Sequence, residues 1–130
     1  MSKHKNIPKK ARIIVYEKYR GHCAYCGCEI AYEDMQVDHI QSVYANTDYQ
    51  QLMTEDEIYS MGNYMPSCRQ CNFYKSTFGL ETFRTRLTEV MLKNLQKEFN
   101  YKLALKYKLI TENIKPIRFY FEEHTGADKR

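Results

Sequence analysis

The sequence predicts a small α+β fold, and three observations carry that prediction: two Cys-x-x-Cys pairs set far apart, short β-type runs between them, and apolar residues at helical spacing on either side. Cys23 and Cys26 form the first pair and Cys68 and Cys71 the second, with 41 residues between Cys26 and Cys68. Each spacing lets two thiolates point at one tetrahedral zinc, at Zn–S distances of about 2.3 Å. The intervening chain must then fold so that the pairs meet.

At 130 residues the chain has room for one domain, 1–130, with a modest core for which a structural metal is a common staple. Five cysteines, an opening MSKHKNIPKK, no signal-peptide pattern and no long apolar run point to a reducing compartment, the cytoplasm, where such pairs hold metal. The net charge is only +4, yet Lys3, His4, Lys5, Lys9, Lys10, Arg12, Lys18 and Arg20 crowd the first twenty residues against Glu17 alone. That asymmetry suits a polyanion. Twelve tyrosines and no tryptophan leave two readings, packing at the core edge or contact with phosphates and bases.

Taken in order, Ile7, Ala11, Ile14, Val15 and Tyr19 recur at helical spacing and predict a helix over 7–20 that Gly21 ends. Lys9, Arg12 and Lys18 on its other face either meet phosphates or lie in solvent. The first knuckle spans 22–27, and Cys28 is one cysteine too many for four ligands, a buried small residue or a free thiol. Segments 29–32 and 35–40 read as a strand hairpin turning at Glu33 and Asp34. The 23 residues between His39 and Asn63 exceed an idle connection. Within them Thr54 and Glu57 mark a capping box for a short helix over 55–60. Ser67 is the expected cap of a helix carrying Cys71, Asn72 and Lys75. Leu80, Phe83, Leu87, Val90, Met91, Leu95 and Phe99 then predict a long amphipathic helix, a shorter one follows over 101–107, and IRFYFE over 117–122 predicts a terminal strand.

If one zinc joins the knuckles, Asp38 and His39, on the strand after the first, come to face Asn72 and Lys75, on the helix bearing the second. Asp38 and Asn72 offer hard oxygen ligands, which suit magnesium or manganese together with waters and substrate oxygens. His39, with an ordinary pKa of about 6.5, is then available to take a proton from water. Adjacent strand residues point to opposite faces, so this arrangement requires a bend at His39, which side-chain bonds from Asn63 to the following loop would enforce.

The motifs CAYC, VDHI and GNYMPSCRQCN, with Lys75 three residues beyond Asn72, resemble the HNH endonuclease family over about 21–79, leaving 80–123 as a C-terminal helical extension. The resemblance implies a ββα-metal, or His-Me finger, core stapled by Cys23, Cys26, Cys68 and Cys71. It also implies that His39 is the general base, Asp38 and Asn72 hold the catalytic ion, Asn63 orients the His39 loop and Lys75 holds a phosphate. A solvated helix lysine is the other reading of Lys75, and Arg69 either reaches phosphate or stays in water. The nine-residue step from Asn63 to Asn72 resembles the HNH domain of CRISPR effector nucleases, and the chain ends resemble small free-standing phage and bacterial members. The expected function is magnesium- or manganese-dependent hydrolysis of DNA, most simply double-stranded, giving 5′-phosphate and 3′-hydroxyl ends. A non-catalytic zinc module binding nucleic acid or protein is the alternative, and an RNA-directed nuclease a third.

Overall fold

Helix α1, Lys9–Lys18, opens with Pro8 immediately before it, where a missing N–H costs nothing. Its Val15 is wholly buried and forms a cluster with Met35 and Tyr64, flanked by Ile7, Tyr16, Ile30 and Val37. The chain then reverses at Gly21, whose N–H reaches back to the Tyr16 carbonyl at 3.0 Å. Its φ of +79° favours glycine, and a Cβ there would stand 2.9 Å from the Tyr16 hydroxyl. The computed structural model describes residues 7–40 and 61–124. These divide into two compact units, one made of the described residues through Leu80 together with those from Arg118, the other of Glu81–Ile117.

The α+β prediction holds, with a different strand pairing. Strand β1, Gln36–His39, runs antiparallel to β2, Tyr64–Ser67, in the register Gln36↔Ser67, Val37↔Pro66, Asp38↔Met65 and His39↔Tyr64. The expected hairpin partner, 29–32, contributes only a bridge between His22 and Glu29, and Tyr32–Asp34 is a 3-10 turn. A side chain replaces the ladder there: the Arg12 guanidinium donates to the Tyr32 and Met35 carbonyls at 2.8 and 2.9 Å and lies over the Tyr32 ring. Lys18 is turned inward too, donating to the Tyr64 carbonyl at 2.9 Å. Neither charge faces phosphate or open solvent as expected. Pro66 fits β2 because both strands of a two-stranded sheet are edges, and its carbonyl accepts the Ala24 N–H at 2.8 Å, tying the knuckle to the strand.

Helix α2, Arg69–Lys75, follows β2 directly and completes a ββα unit. Its cap is Cys68 rather than Ser67: the Cys68 sulfur accepts the Cys71 N–H, while the Ser67 hydroxyl donates to the Cys68 carbonyl. The expected terminal strand is instead a one-turn helix, Tyr120–Glu123. The N–H groups a strand would pair are already taken, Tyr120 donating to the Tyr25 carbonyl and Phe121 to that of Ala24, while Glu122 Oε1 accepts the Phe119 N–H.

Helix α3, Leu80–Arg86, whose residues from Glu81 onward belong to the second unit, widens into a π-helical stretch, Leu87–Leu92, before α4, Lys93–Gln96, and α5, Phe99–Lys106. The predicted long helix is thus interrupted. Thr88 donates to the Thr85 carbonyl, a bond of the kind that bends helices. Glu98 is extended, so Phe99 opens the next helix instead of ending the last. Glu112 accepts from Gln96 and Tyr101, holding the segment after α5 to the helices. The short helix expected over 55–60 lies outside the described residues.

Candidate active site

The two knuckles meet. The four sulfurs of Cys23, Cys26, Cys68 and Cys71 all lie within 4.8 Å of one another, and Cys26 and Cys68 are 3.9 Å apart. A tetrahedron with Zn–S bonds of about 2.3 Å has edges of about 3.8 Å, so the donor set fits zinc in both chemistry and size. All four are free thiols, and they cannot all ionise unaided. A hydrogen bond from Cys71, opposed by burial, draws the Cys23 thiol down to about 4, and the same bond pushes Cys71 far up. A divalent cation at the centre relieves that conflict by accepting every thiolate. Cys28 is exposed and outside this set; partial desolvation and the neighbouring Cys26 push its thiol up to about 12.

Beside the zinc site the ββα unit gathers its polar residues. Asp38 is 5% exposed, and its Oδ2 accepts from the Tyr25 hydroxyl at 2.5 Å and from Lys75 Nζ at 3.1 Å. Lys75 Nζ also donates to the His39 carbonyl at 2.9 Å. Lys75 is wholly buried, so its ammonium neither reaches a phosphate nor lies in solvent, contrary to expectation. It is one half of an internal ion pair. Burial pushes the Asp38 carboxyl above its ordinary value, against the pull of Lys75 and the Tyr25 hydrogen bond. Burial and the Asp38 charge push the Tyr25 phenol far up, so it keeps its proton and donates.

The ladder is regular through His39, and the bend falls at Ile40, one residue later than expected. Asp38 therefore shares a face of β1 with Gln36, while His39 shares the other with Val37. The His39 ring stands edge-on to Tyr64 with centroids 5.1 Å apart and is 7% exposed. Asn63 is buried, and its main-chain carbonyl accepts the Ile40 N–H at 2.9 Å, fastening the backbone just after His39. The loop its side chain is expected to hold lies outside the described residues. Asn72 sits half-exposed on α2 in a groove of about 400 Å³ lined by Gln36, Arg69, Gln70, Asn72 and Phe73. Phe73 is 82% exposed.

Two features escaped the sequence reading. Tyr25 carries no signal in the sequence, because its partner Asp38 lies 13 residues away and is brought to it by folding alone. Phe73 had a legible signal, an aromatic residue directly after a candidate ligand on a short helix.

The family model described as HNH endonuclease matches residues 23–78. No curated protein matches the chain. A crystal structure of the Type II-C Cas9 enzyme from Actinomyces naeslundii is similar at 22% identity and a TM-score of 0.48, over 65% of this chain and 9% of that enzyme's length. Residues 23–78, which contain the four clustered cysteines, both strands and α2, thus form a domain of the HNH endonuclease family.

Proposed function

We propose that the chain is a zinc-stapled endonuclease hydrolysing DNA phosphodiesters, with His39 as general base and Asp38 and Asn72 as protein ligands of a catalytic divalent ion. The observation that carries the reading is the placement of Asp38 and His39 at the end of β1 on opposite faces of the strand. In-line displacement needs the entering water and the leaving oxygen on opposite sides of phosphorus. With the base and the ion-holding carboxylate on different faces of β1, the imidazole stays free of the ion.

His39 takes a proton from the attacking water, a role typically contributing about 10²- to 10⁴-fold. The ion, magnesium or manganese, would stabilise charge on the leaving 3′ oxygen. Lys75 and Tyr25 hold the Asp38 carboxylate, and Lys75 also holds the His39 carbonyl, so one buried ammonium fixes both neighbours. Arg69, exposed at the groove that holds Asn72, is placed to meet a phosphate, and Phe73 to meet a sugar or base.

A second reading has a specific observation behind it. The Asp38–Lys75 pair is so completely buried that it also suits a purely structural role in a zinc module that binds nucleic acid without cutting. Supercoiled plasmid incubated with the zinc-loaded protein separates the two. The nuclease reading expects cleavage with magnesium or manganese and none with chelator, with 5′-phosphate and 3′-hydroxyl ends. Binding without cleavage under all divalent ions and on linear or single-stranded DNA would establish the module.

A further inference from the structure

The Asp38 carboxylate is served by two donors that favour one of its oxygens. Oδ2 takes the Tyr25 hydroxyl at 2.5 Å and Lys75 Nζ at 3.1 Å, whereas Oδ1 has Lys75 at 3.5 Å. Oδ1 therefore keeps lone pairs to offer, and the direction in which it offers them is set by what grips Oδ2.

Tyr25 is a rigid grip. It lies between the zinc-site cysteines Cys23 and Cys26, is 3% exposed, and its N–H points at the Cys23 sulfur at 3.4 Å. Its carbonyl accepts the Tyr120 N–H at 3.0 Å. Its ring is flanked edge-on by Phe119 and Phe121, with centroids at 5.4 and 6.1 Å. The loop is packed on both sides, since Ala24 binds the Pro66 carbonyl and a Cβ on Gly27 would come within 2.7 Å of the Tyr120 ring. A phenol so held has one hydroxyl position, and Asp38 Oδ2 occupies it.

We infer that Tyr25 is a positioning residue that aims Asp38 Oδ1 at the catalytic divalent ion, making the zinc knuckle the support on which that ion's affinity depends. The inference rests on the proposed reading of Asp38 as an ion ligand. Outer groups that orient metal ligands typically change metal affinity by about 10- to 100-fold when removed. Lys75 alone discriminates weakly, its Nζ lying 3.1 Å from Oδ2 and 3.5 Å from Oδ1, so the phenol is the donor that fixes the carboxylate's rotation.

Tyr25→Phe deletes the hydroxyl and keeps the ring. Free Mn²⁺ counted by electron paramagnetic resonance gives its affinity for the zinc-loaded protein without any turnover, with zinc content and melting temperature measured alongside. The expected result is Mn²⁺ binding about tenfold or more weaker with one zinc retained. In cleavage assays the Mn²⁺ concentration for half-maximal rate rises by the same factor while the rate at saturation stays within about twofold, a split that general loss of structure does not produce. Unchanged Mn²⁺ affinity in a zinc-replete Tyr25→Phe protein overturns the inference and leaves the nuclease reading standing. Mn²⁺ binding that is equal in wild type and Asp38→Ala overturns the ion assignment itself and this inference with it. Should Tyr25→Phe lose its zinc, 4-aminophenylalanine at position 25 restores a donor on the same ring. That protein should bind Mn²⁺ within about twofold of wild type, and a tenfold loss with zinc retained counts against the inference.

Discussion

Lys75 shows how far a single side chain's role depends on where the backbone takes it. Its Nζ has no exposure and sits against Asp38 and the His39 carbonyl. Removing one partner from such a pair leaves a buried charge uncompensated, at a cost of about 3 to 5 kcal/mol, whereas replacing both by apolar groups is often neutral. Urea unfolding of zinc-loaded Lys75→Met should therefore show a loss of that order, largely recovered in Asp38→Leu/Lys75→Met. Equal stability of Lys75→Met and wild type would contradict the pairing. Asp38 also makes a pH prediction. Because burial holds its folded pKa above the ordinary value near 3.8, the folded chain keeps a proton there at pH values where the unfolded chain has lost it. Its contribution to stability is greatest below that window and falls as pH rises through it. With zinc bound and magnesium absent, wild type should gain on the doubly apolar variant as pH is lowered toward the ordinary carboxylate range; a gain in the opposite direction would contradict the shift. At this scale the clustering of the four cysteines was legible in the sequence, because Cys-x-x-Cys spacing is local. The sequence did not show that Lys75 turns inward or that Tyr25 grips Asp38, because each contact joins elements distant in the chain.

At the scale of elements, basic residues divide by what their helices face. Arg12 and Lys18 of α1 are spent on carbonyls of the 3-10 turn, Met35 and β2, while Lys9 and Arg69 remain exposed. Arg12→Ala should cost about 1 to 3 kcal/mol in stability through carbonyls left unpaired, with little change in DNA affinity. Arg69→Ala should do the reverse, weakening DNA binding with little sequence preference and lowering the salt slope by about one. Equilibrium binding at two or three salt concentrations, paired with melting curves, separates them, and an Arg12→Ala protein that is stable but binds DNA poorly would contradict the assignment. The same elements mark the limit of periodicity. Helix α1 was legible from its apolar spacing, but Pro66 hid β2, and Arg12 supplied the bonds that a strand at 29–32 would otherwise need. The alternation in IRFYFE is real, yet the carbonyls of Ala24 and Tyr25 captured its N–H groups one at a time and no strand formed.

For the whole molecule, the proposed function gives two metals separate work. The four-cysteine site joins segments 41 residues apart and carries the first knuckle, β2 and α2 into one unit. Apparent free energies of structural zinc binding, about 10 to 16 kcal/mol, match the entire stability of a small domain, about 5 to 15 kcal/mol. Chelation or Cys68→Ser should therefore unfold the ββα unit, and an unchanged melting temperature on zinc loss would refute the structural assignment. The catalytic ion, by contrast, is expected to leave the fold in place when removed. With oxygen donors at Asp38 and Asn72, magnesium and manganese should support cleavage better than nickel, and Asn72→His should move the ranking toward nickel. Nickel outperforming magnesium in the unmodified protein would contradict that donor set.

In the proposed mechanism His39 moves a proton without holding the zinc, the ion or the DNA. The most direct test is the single-turnover cleavage rate of His39→Ala beside wild type, with magnesium or manganese and with zinc content, melting temperature and DNA affinity matched. A fall of about 10²- to 10⁴-fold in rate is expected, with those three properties nearly unchanged. A His39→Ala protein that cuts as fast as wild type would contradict that mechanism.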